Sequence, residues 1–205
     1  MCGDFTAYGN VDDVDSFRDW YLQQPFKYRV VIAGNHELTF DEVNRDDIIQ
    51  RYLPYFKVPV ETIKSHIYHD GIIYVEHDTI ELMGLKIFCS PYTPFFYNWA
   101  FPLPDLEGTV WKSIQPQTDI IVTHGPPIGI LDTVSRELDG PVPREGDEFL
   151  KKKVFEIRPA IHIFGHIHES YGIQVHDSIV FANVSVMNRS YQVVNQPLVF
   201  DHIPK

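Results

Sequence analysis

Three apolar runs along the chain end in short polar segments that contain glycine and histidine. Residues 28–33 lead into Gly-Asn-His-Glu, residues 119–122 into Thr-His-Gly, and residues 160–164 into Gly-His-Ile-His. Short apolar runs rich in β-branched residues are typical of buried strands, and glycine allows the chain to turn at their ends. The pattern therefore predicts three buried strands, each followed by a loop that carries histidine.

Helical spacing of apolar residues predicts three helices, over 11–23, 41–53 and 146–157. The second is expected to end before the proline at position 54. The segments 91–104 and 129–145 are rich in proline, together with aromatic residues in the first and glycine in the second, and both are predicted to be loops.

Short strand-like runs separated by turn residues occupy the interval 66–90, and the tail over about 171–203 alternates as antiparallel strands do. Strands and helices mixed in this way indicate a layered α/β or α+β domain. With 205 residues, the chain is expected to form a single domain over 1–205.

Composition narrows the classes of function. Apolar residues make up 44% and charged residues 22% of the chain, as in ordinary globular proteins, and the formal net charge is −11. This acidity argues against a nucleic-acid polymer as partner, because such partners require basic surfaces. It also disfavours a phosphate ester unless metal ions or histidines supply local positive charge.

The sequence also suggests a compartment. It contains two cysteines, Cys2 and Cys89, too few for a disulfide framework. It shows neither an apolar run of about 20 residues nor the pattern of a signal peptide. We therefore expect a cytoplasmic protein without a membrane partner; its oligomeric state is left open.

The three strand ends carry the chemistry. Ligand sites of layered α/β proteins gather beyond the carboxyl ends of the strands. A single histidine there, such as His124, or a close pair, such as His166 and His168, is more often an ordinary loop residue than a ligand. Three strand ends of the same design favour a metal site, and imidazole with carboxylate suits Mn²⁺, Fe or Zn²⁺.

Four segments in this order resemble motif blocks of a known family. They are Gly-Asp at 3–4, Gly-Asn-His-Glu at 34–37, Thr-His-Gly at 123–125 and Gly-His-Ile-His at 165–168. They resemble four of the five blocks of the calcineurin-like metallophosphoesterases. The neighbouring residues are most similar to the branch of metallophosphoesterase-domain-containing proteins, which is associated with the hydrolysis of cyclic nucleotides.

The resemblance implies a fold and a metal centre. The fold is a four-layer α/β/β/α sandwich with two divalent metal ions at its strand ends, Mn²⁺ being the expected metal. Asp4 is implied as the ligand that bridges both ions. The other implied ligands are Asn35, His124 and His166 for one ion and His168 for the other.

The resemblance also implies a reaction. It is the hydrolysis of a phosphoric ester by a metal-activated hydroxide, with a cyclic or other small nucleotide as the expected substrate. His36 is implied to contact the scissile phosphate, beside Asn35, and to protonate the leaving oxygen. Imidazole suits that role near neutral pH.

One block of the family has no counterpart in the sequence. It is an Asp-x-His upstream of the Gly-Asp, and the sequence begins at Met1 without room for it, so the N-terminal strand of the sandwich is expected to be missing. Asp4 and His168 alone would then hold the second ion. The missing block leaves two origins open: a natural protein that is longer, or a short form with one metal ion and impaired activity or folding. It also leaves two functions open: an enzyme, and a non-catalytic or weakly active regulatory protein that binds nucleotide and metal.

Two further features allow two interpretations each. The aromatic residues Phe95, Phe96, Tyr97 and Trp99 can stack on a nucleobase or anchor their loop on the sandwich, and the second is favoured. Glu37 can orient His36 or lie exposed.

Overall fold

The structure is a computed structural model that describes residues 1–105, 107–134 and 143–201, and the fold is α/β. The helices are α1 (Val11–Leu22), α2 (Arg45–Ile48), α3 (Val60–Ile63) and α4 (Glu148–Ile157). The strands are β1 (Val30–Val31), β2 (Ile73–Tyr74), β3 (Asp78–Leu82), β4 (Leu85–Ser90), β5 (Ile120–Thr123), β6 (Ile161–Phe164), β7 (Gly172–His176) and β8 (Ile179–Asn183).

The strands within these ranges form two sheets. The larger has the order β3-β4-β5-β6-β8-β7; its inner strands run parallel and its edge strands β3 and β7 pair antiparallel with their neighbours. The smaller pairs β1 parallel with β2. A parallel bridge between Cys2 and Ile32 extends it on the other side of β1.

Alternating side chains divide the molecule into four layers. Val31 faces a hydrophobic cluster shared with α1, whereas its neighbour Ile32 faces Cys89 of β4, between the two sheets. Phe88, next along β4, faces the cluster that α4 covers. Successive side chains of a strand point to opposite faces, so the order of layers is helix, sheet, sheet, helix. The predicted α/β/β/α sandwich is confirmed.

Both longer helices begin at a capped residue and agree with the prediction. Asn10 caps α1 by accepting a hydrogen bond from the backbone N–H of Asp13, and Asp147 caps α4 through the N–H groups of Phe149 and Leu150. Such caps satisfy N–H groups that have no partner within the helix.

No helix in the described ranges has the length and apolarity needed to cross a bilayer.

The predicted helix over 41–53 is confirmed only in part. This interval holds only α2 and two 3-10 turns, Ile49–Arg51 and Leu53–Tyr55. The Asp41 carboxylate accepts hydrogen bonds from the backbone N–H groups of Val43 and Asn44, and the Asp41 carbonyl oxygen accepts one from the N–H of Arg45, so this turn leads into α2. Helical structure also occurs where none was predicted, in α3 and the 3-10 turn Lys64–Ile67 after it.

The predicted antiparallel tail is confirmed only in part. β7 and β8 pair as expected. Between β8 and residue 201 there is no further strand, only an isolated antiparallel bridge between Met187 and Val193. Residues 202 and 203 of that prediction lie outside the described residues. So do residues 135–142 of the predicted loop 129–145.

Candidate metal centre

Strand ends bring the predicted ligands to one edge of the two sheets. His124 follows β5 directly, His166 follows β6 after Gly165, and Asn35 lies in the turn after β1. Asp4 and His166 both have a positive φ, 55° and 67°, a conformation that few non-glycine residues adopt and that clusters at functional sites.

Four of the five predicted ligands meet there. The Oδ1 atom of Asn35 lies 2.8 Å from Nε2 of His124 and 2.9 Å from Nδ1 of His166. Oδ2 of Asp4 lies 3.3 Å from Nε2 of His124. One ligand atom each of Asp4, His124 and His166 lies within 4.8 Å of the other two.

The chemistry of these atoms fits a divalent metal ion. Nδ1 of His124 donates to the carbonyl oxygen of Cys2 at 2.6 Å, which turns the Nε2 lone pair of the neutral ring toward Asp4 and Asn35. Lone pairs that face one another at such distances repel unless a proton or a cation lies between them. Carboxylate and imidazole together suit Mn²⁺, Fe and Zn²⁺.

The ionisable groups of the centre shift one another's pKa. Burial opposes the ionisation of Asp4, but the imidazoles around it, His124 above all, outweigh burial and lower its pKa. Burial opposes the protonation of His124, but the Asp4 carboxylate outweighs burial and raises its pKa. Burial and the neighbouring His124 lower the pKa of His166 to about 3. His166 is therefore neutral at pH 7, with a lone pair available to a metal ion.

Two glycines allow the segments of this centre to approach. A Cβ on Gly34 would lie 2.4 Å from Oδ1 of Asp4 and 2.5 Å from Cε1 of His124. A Cβ on Gly3, whose φ is +85°, would lie 2.5 Å from the backbone nitrogen of Gly34. No ordinary Cβ contact is that short, so both positions require glycine.

Glu37 holds the backbone beneath the centre. Its fully buried carboxylate accepts hydrogen bonds from the backbone N–H groups of Gly34, Asp4 and Thr6, at 2.7 to 2.9 Å, and from the Thr6 hydroxyl. Burial and the charge of Asp4 raise the pKa of Glu37 to about 8, against the effect of the backbone donors. Neither interpretation of Glu37 from the sequence describes this role, since the side chain ties together two distant segments.

His36, the predicted acid, lies beside the predicted ligands. Its backbone N–H donates to Oδ1 of Asp4 at 3.1 Å, and its Nδ1 lies 2.9 Å from the carbonyl oxygen of Ala7. Donation from Nδ1 to that carbonyl leaves Nε2 free to exchange a proton with a ligand. Its ring meets the rings of Trp99 and Tyr191 edge to face, with centroids 4.3 and 6.1 Å away.

His168 lies near the centre but outside its group of three ligands. It begins the 3-10 turn His168–Ser170, and its Nδ1 lies 3.1 Å from the carbonyl oxygen of Asn188. Donation to that carbonyl leaves Nε2 as the ring's possible ligand atom. The role of His168 at a second metal ion stays a prediction, as do the roles of the other ligands and of His36.

A cavity of about 880 Å³ opens at this centre, within the size range of small-molecule sites. It is bordered by Asp4, His36, His124, His166 and His168. From there it extends along aromatic side chains of α1 and the segment 184–187. It therefore joins a polar end, where the predicted ligands lie, to an apolar wall.

Sequence reasoning missed part of the cavity wall. Tyr191 lies in a segment predicted as a strand and belongs to no motif, so the sequence carried no signal for it. Trp99 belongs to the aromatic loop, but nothing in the sequence distinguished it from Phe95 as the residue that reaches His36. Only Trp99 of these two lines the cavity.

Several known proteins are similar to this chain in sequence or in fold. The model of the calcineurin-like phosphoesterase family matches residues 1–170. Human metallophosphoesterase domain-containing protein 1 is 38% identical over 208 residues, covering 97% of this chain and 62% of its own length. The UPF0046 protein T07D4.2 of Caenorhabditis elegans is 33% identical, covering 98% of this chain and 53% of its own length. The chain thus spans less than two thirds of either relative.

Among solved structures, the phosphopantetheinyl hydrolase of Mycobacterium tuberculosis superposes with a TM-score of 0.51 over 93% of this chain and 79% of its own, at 16% sequence identity. This likeness shows the shared fold. The match of the family model over most of the chain leads to one conclusion, with which the geometry of the strand ends agrees: the chain belongs to the calcineurin-like phosphoesterase family.

Proposed function

We propose that the protein is a metal-dependent phosphodiesterase that acts on cyclic or other small nucleotides. The observation that carries the proposal is the convergence of Asp4, Asn35, His124 and His166. Asp4, His124 and His166 line the polar end of the cavity together with His36.

Asp4, Asn35, His124 and His166 are the proposed ligands of one divalent metal ion, with Mn²⁺ the expected metal and Fe or Zn²⁺ as alternatives. His168 and Asp4 are proposed to take part in a second site. A bound metal ion supplies an activated water and stabilises the negative charge of the reacting phosphoryl group. Its positive charge would also weaken, locally at the site, the repulsion between a phosphate ester and a chain with a net charge of −11.

His36 is the proposed acid, and Asn35 the proposed second contact to the phosphate. Because Nδ1 of His36 is held by the Ala7 carbonyl, the ring has a fixed orientation and Nε2 is the atom that faces a ligand. A protonated Nε2 can donate its proton to the leaving oxygen, a contribution of about 10²–10⁴-fold in rate. The small-nucleotide substrate and the cytoplasmic location remain part of the proposal.

A second candidate is a regulatory protein that binds nucleotide and metal without hydrolysing the ester. It is favoured by the position of His168, which lies outside the group of Asp4, His124 and His166. That arrangement supports one metal site more strongly than two. The enzymatic candidate is expected to hydrolyse a phosphodiester, whereas the regulatory candidate is expected to bind nucleotide and metal without hydrolysis.

The test is hydrolysis of bis(p-nitrophenyl) phosphate and of a cyclic nucleotide by the full chain with Mn²⁺, with metal binding followed by calorimetry. We expect turnover that His36→Gln lowers about 10²-fold or more while metal binding is retained. His124→Ala is expected to lose both. His176→Gln, which changes an exposed histidine of β7, is the matched control and is expected to keep both.

Metal and nucleotide binding without turnover would support the regulatory candidate and contradict the enzymatic one. Unchanged metal binding in both His124→Ala and His166→Ala would contradict the metal centre itself.

A further inference from the structure

We propose that Trp99 and Tyr191 form a subsite on the leaving-group side of the phosphate and select a leaving group that carries a planar aromatic ring, as a nucleotide carries its base, over one that carries a saturated ring. The inference rests on the proposed function, because it takes His36 as the acid that protonates the leaving oxygen. Side chains that surround His36 are then the ones nearest to the leaving group.

Two aromatic rings surround His36 inside the cavity. The Trp99 ring lies 4.3 Å from the His36 ring at an interplanar angle of 67°, and the Tyr191 ring lies 6.1 Å away at 70°. Tyr191 also meets the ring of His168, at 5.5 Å and 88°. Both aromatic residues line the cavity. A group bonded to an oxygen next to His36 therefore emerges between an indole and a phenol ring.

The loop that carries Trp99 is fixed to the metal centre. The backbone N–H of Ala100 donates to the carbonyl oxygen of Asn35 at 3.2 Å, and a parallel bridge joins Thr93 to Pro102 at the base of the loop. Trp99 itself packs on Tyr8, with ring centroids 6.2 Å apart. The indole is thus anchored by the same backbone that presents the predicted ligand Asn35.

The segment that carries Tyr191 is fixed as well. The carbonyl oxygen of Asn188 accepts hydrogen bonds from His168 and from the backbone N–H of Tyr191. The side chain of Asn188 accepts two more, from the N–H groups of Ser190 and Gln192. Glu169 and Arg189 add an ion pair at 3.3 Å. These contacts hold a turn whose conformation at Tyr191, with φ at 56°, is rare outside glycine.

Exposure distinguishes Tyr191 from a residue that serves packing alone. Its side chain is 62% exposed although it lies at the wall of a cavity. A large ring held by a fixed turn, yet left open to solvent, is available to cover a ligand. Aromatic pairs gain about 0.5–1.5 kcal/mol beyond the burial of area, in stacked or edge-to-face geometry. A saturated ring makes no such pair.

The test compares phenylphosphonate with cyclohexylphosphonate, two ligands that share the anionic group and differ in the planarity of the ring. Their dissociation constants are measured by calorimetry on the full chain with Mn²⁺ present. We expect the wild type to bind phenylphosphonate about 3- to 10-fold more tightly, the range that the aromatic contribution supports. Since cyclohexyl is at least as apolar as phenyl, apolarity does not account for such a preference.

Tyr191→Leu is expected to bring the ratio of the two dissociation constants close to one, and Trp99→Leu to lower it. Tyr191→Phe is expected to keep the preference, because the ring is retained. Phe95→Leu is the matched control: Phe95 lies in the same loop as Trp99, is 72% exposed and does not line the cavity. We expect Phe95→Leu to keep the wild-type ratio.

Equal binding of both phosphonates to the wild type, or an unchanged ratio in Tyr191→Leu, would overturn the subsite and leave the proposed function standing, since the phosphonate group is still bound. If neither phosphonate binds in the presence of Mn²⁺, the subsite and the proposed function both fail.

Discussion

At the scale of single residues, His162 is a buried histidine that the proposed chemistry does not use. It lies on β6 with no exposed surface, and its Nε2 lies 2.8 Å from the hydroxyl oxygen of Thr123. Its Nδ1 has no hydrogen-bond partner in the described part of the chain. Burial lowers the pKa of His162 to about 3, so the ring is neutral in the folded protein.

This lowered pKa predicts a loss of stability in acid. The unfolded chain binds a proton at His162 below about pH 6.5, whereas the folded protein does not bind one until about pH 3. The contribution is therefore fully present above pH 6.5 and is lost as the pH falls through that window. Between pH 6.5 and pH 5 the free energy of unfolding is expected to fall by about 1.5 kcal/mol through this group.

His162→Gln removes that titration and keeps a donor for Thr123, so urea unfolding should show a flatter dependence on pH over the same interval. His176→Gln changes an exposed histidine and should leave the wild-type dependence intact. An unaltered acid dependence in His162→Gln would mean that other groups cause the loss of stability.

At the scale of elements, the carboxylate of Asp147 connects the start of α4 with the buried indole of Trp111. Oδ1 of Asp147 caps the helix, and Oδ2 accepts a hydrogen bond from Nε1 of Trp111 at 2.8 Å. The Trp111 side chain is almost fully buried. Helix, cap and indole thus depend on the same side chain.

Asp147→Ala should therefore cost more than an ordinary cap. The lost cap is worth about 1 kcal/mol, and the indole N–H left without a partner adds about 1–3 kcal/mol. We expect a decrease of about 2–4 kcal/mol in the free energy of unfolding, measured with urea. Asp147→Asn keeps an oxygen for the cap and should lose less, whereas a cost of Asp147→Ala below about 0.5 kcal/mol would contradict this role.

Elements also differ in how far their sequence predicts them. The apolar run of β4 predicts a strand with two buried faces, and the helical spacing of α1 predicts a helix with one, because both patterns extend over several residues. The interval 41–53 has a helical pattern too, but its α-helix ends at Ile48 and is followed by 3-10 turns. The change from α-helical to 3-10 hydrogen bonds leaves little trace in a hydrophobic pattern, because both structures repeat after three to four residues.

At the scale of the whole molecule, the candidate metal centre joins the ends of both sheets. Asn35 follows the smaller sheet, and His124 and His166 follow strands of the larger one. A metal ion held by these residues links segments that are far apart in sequence. It binds the folded protein and not the dispersed ligands of the unfolded chain, so it should stabilise the fold.

We therefore expect Mn²⁺ to raise the melting temperature. At a concentration 100 times the dissociation constant the gain is about 2.7 kcal/mol, or about 5–10 °C for a chain of this size. Gly34→Ala should lose this shift, because its Cβ would meet Asp4 and His124 at less than 3 Å. The measurement is differential scanning calorimetry with and without Mn²⁺.

Gly84→Ala is the control for that variant. Gly84 has a positive φ of +80°, but nothing lies within 4 Å of its Cβ position. It should lower stability through backbone strain alone and keep the shift caused by Mn²⁺. A full shift in Gly34→Ala would show that the ion binds elsewhere.

The sequence by itself determined the strand ends, the family and the residues expected at the metal centre, because short motifs of two to four consecutive residues indicate each of them. Glycine and a polar residue after an apolar run mark a strand end wherever they occur. The structure then brought Asp4, Asn35, His124 and His166 together, as convergent parallel strands require.

Only the tertiary structure decided what surrounds that centre. Glu37 lies beneath Asp4 and Gly34, and Tyr191 meets His36 from a segment 155 residues further along the chain. Such contacts depend on the pairing of strands and the packing of loops, which bring distant segments together without any local pattern in either. The motifs in the sequence therefore predicted where the chemistry lies, and the packing of the loops determined the shape of the cavity around it.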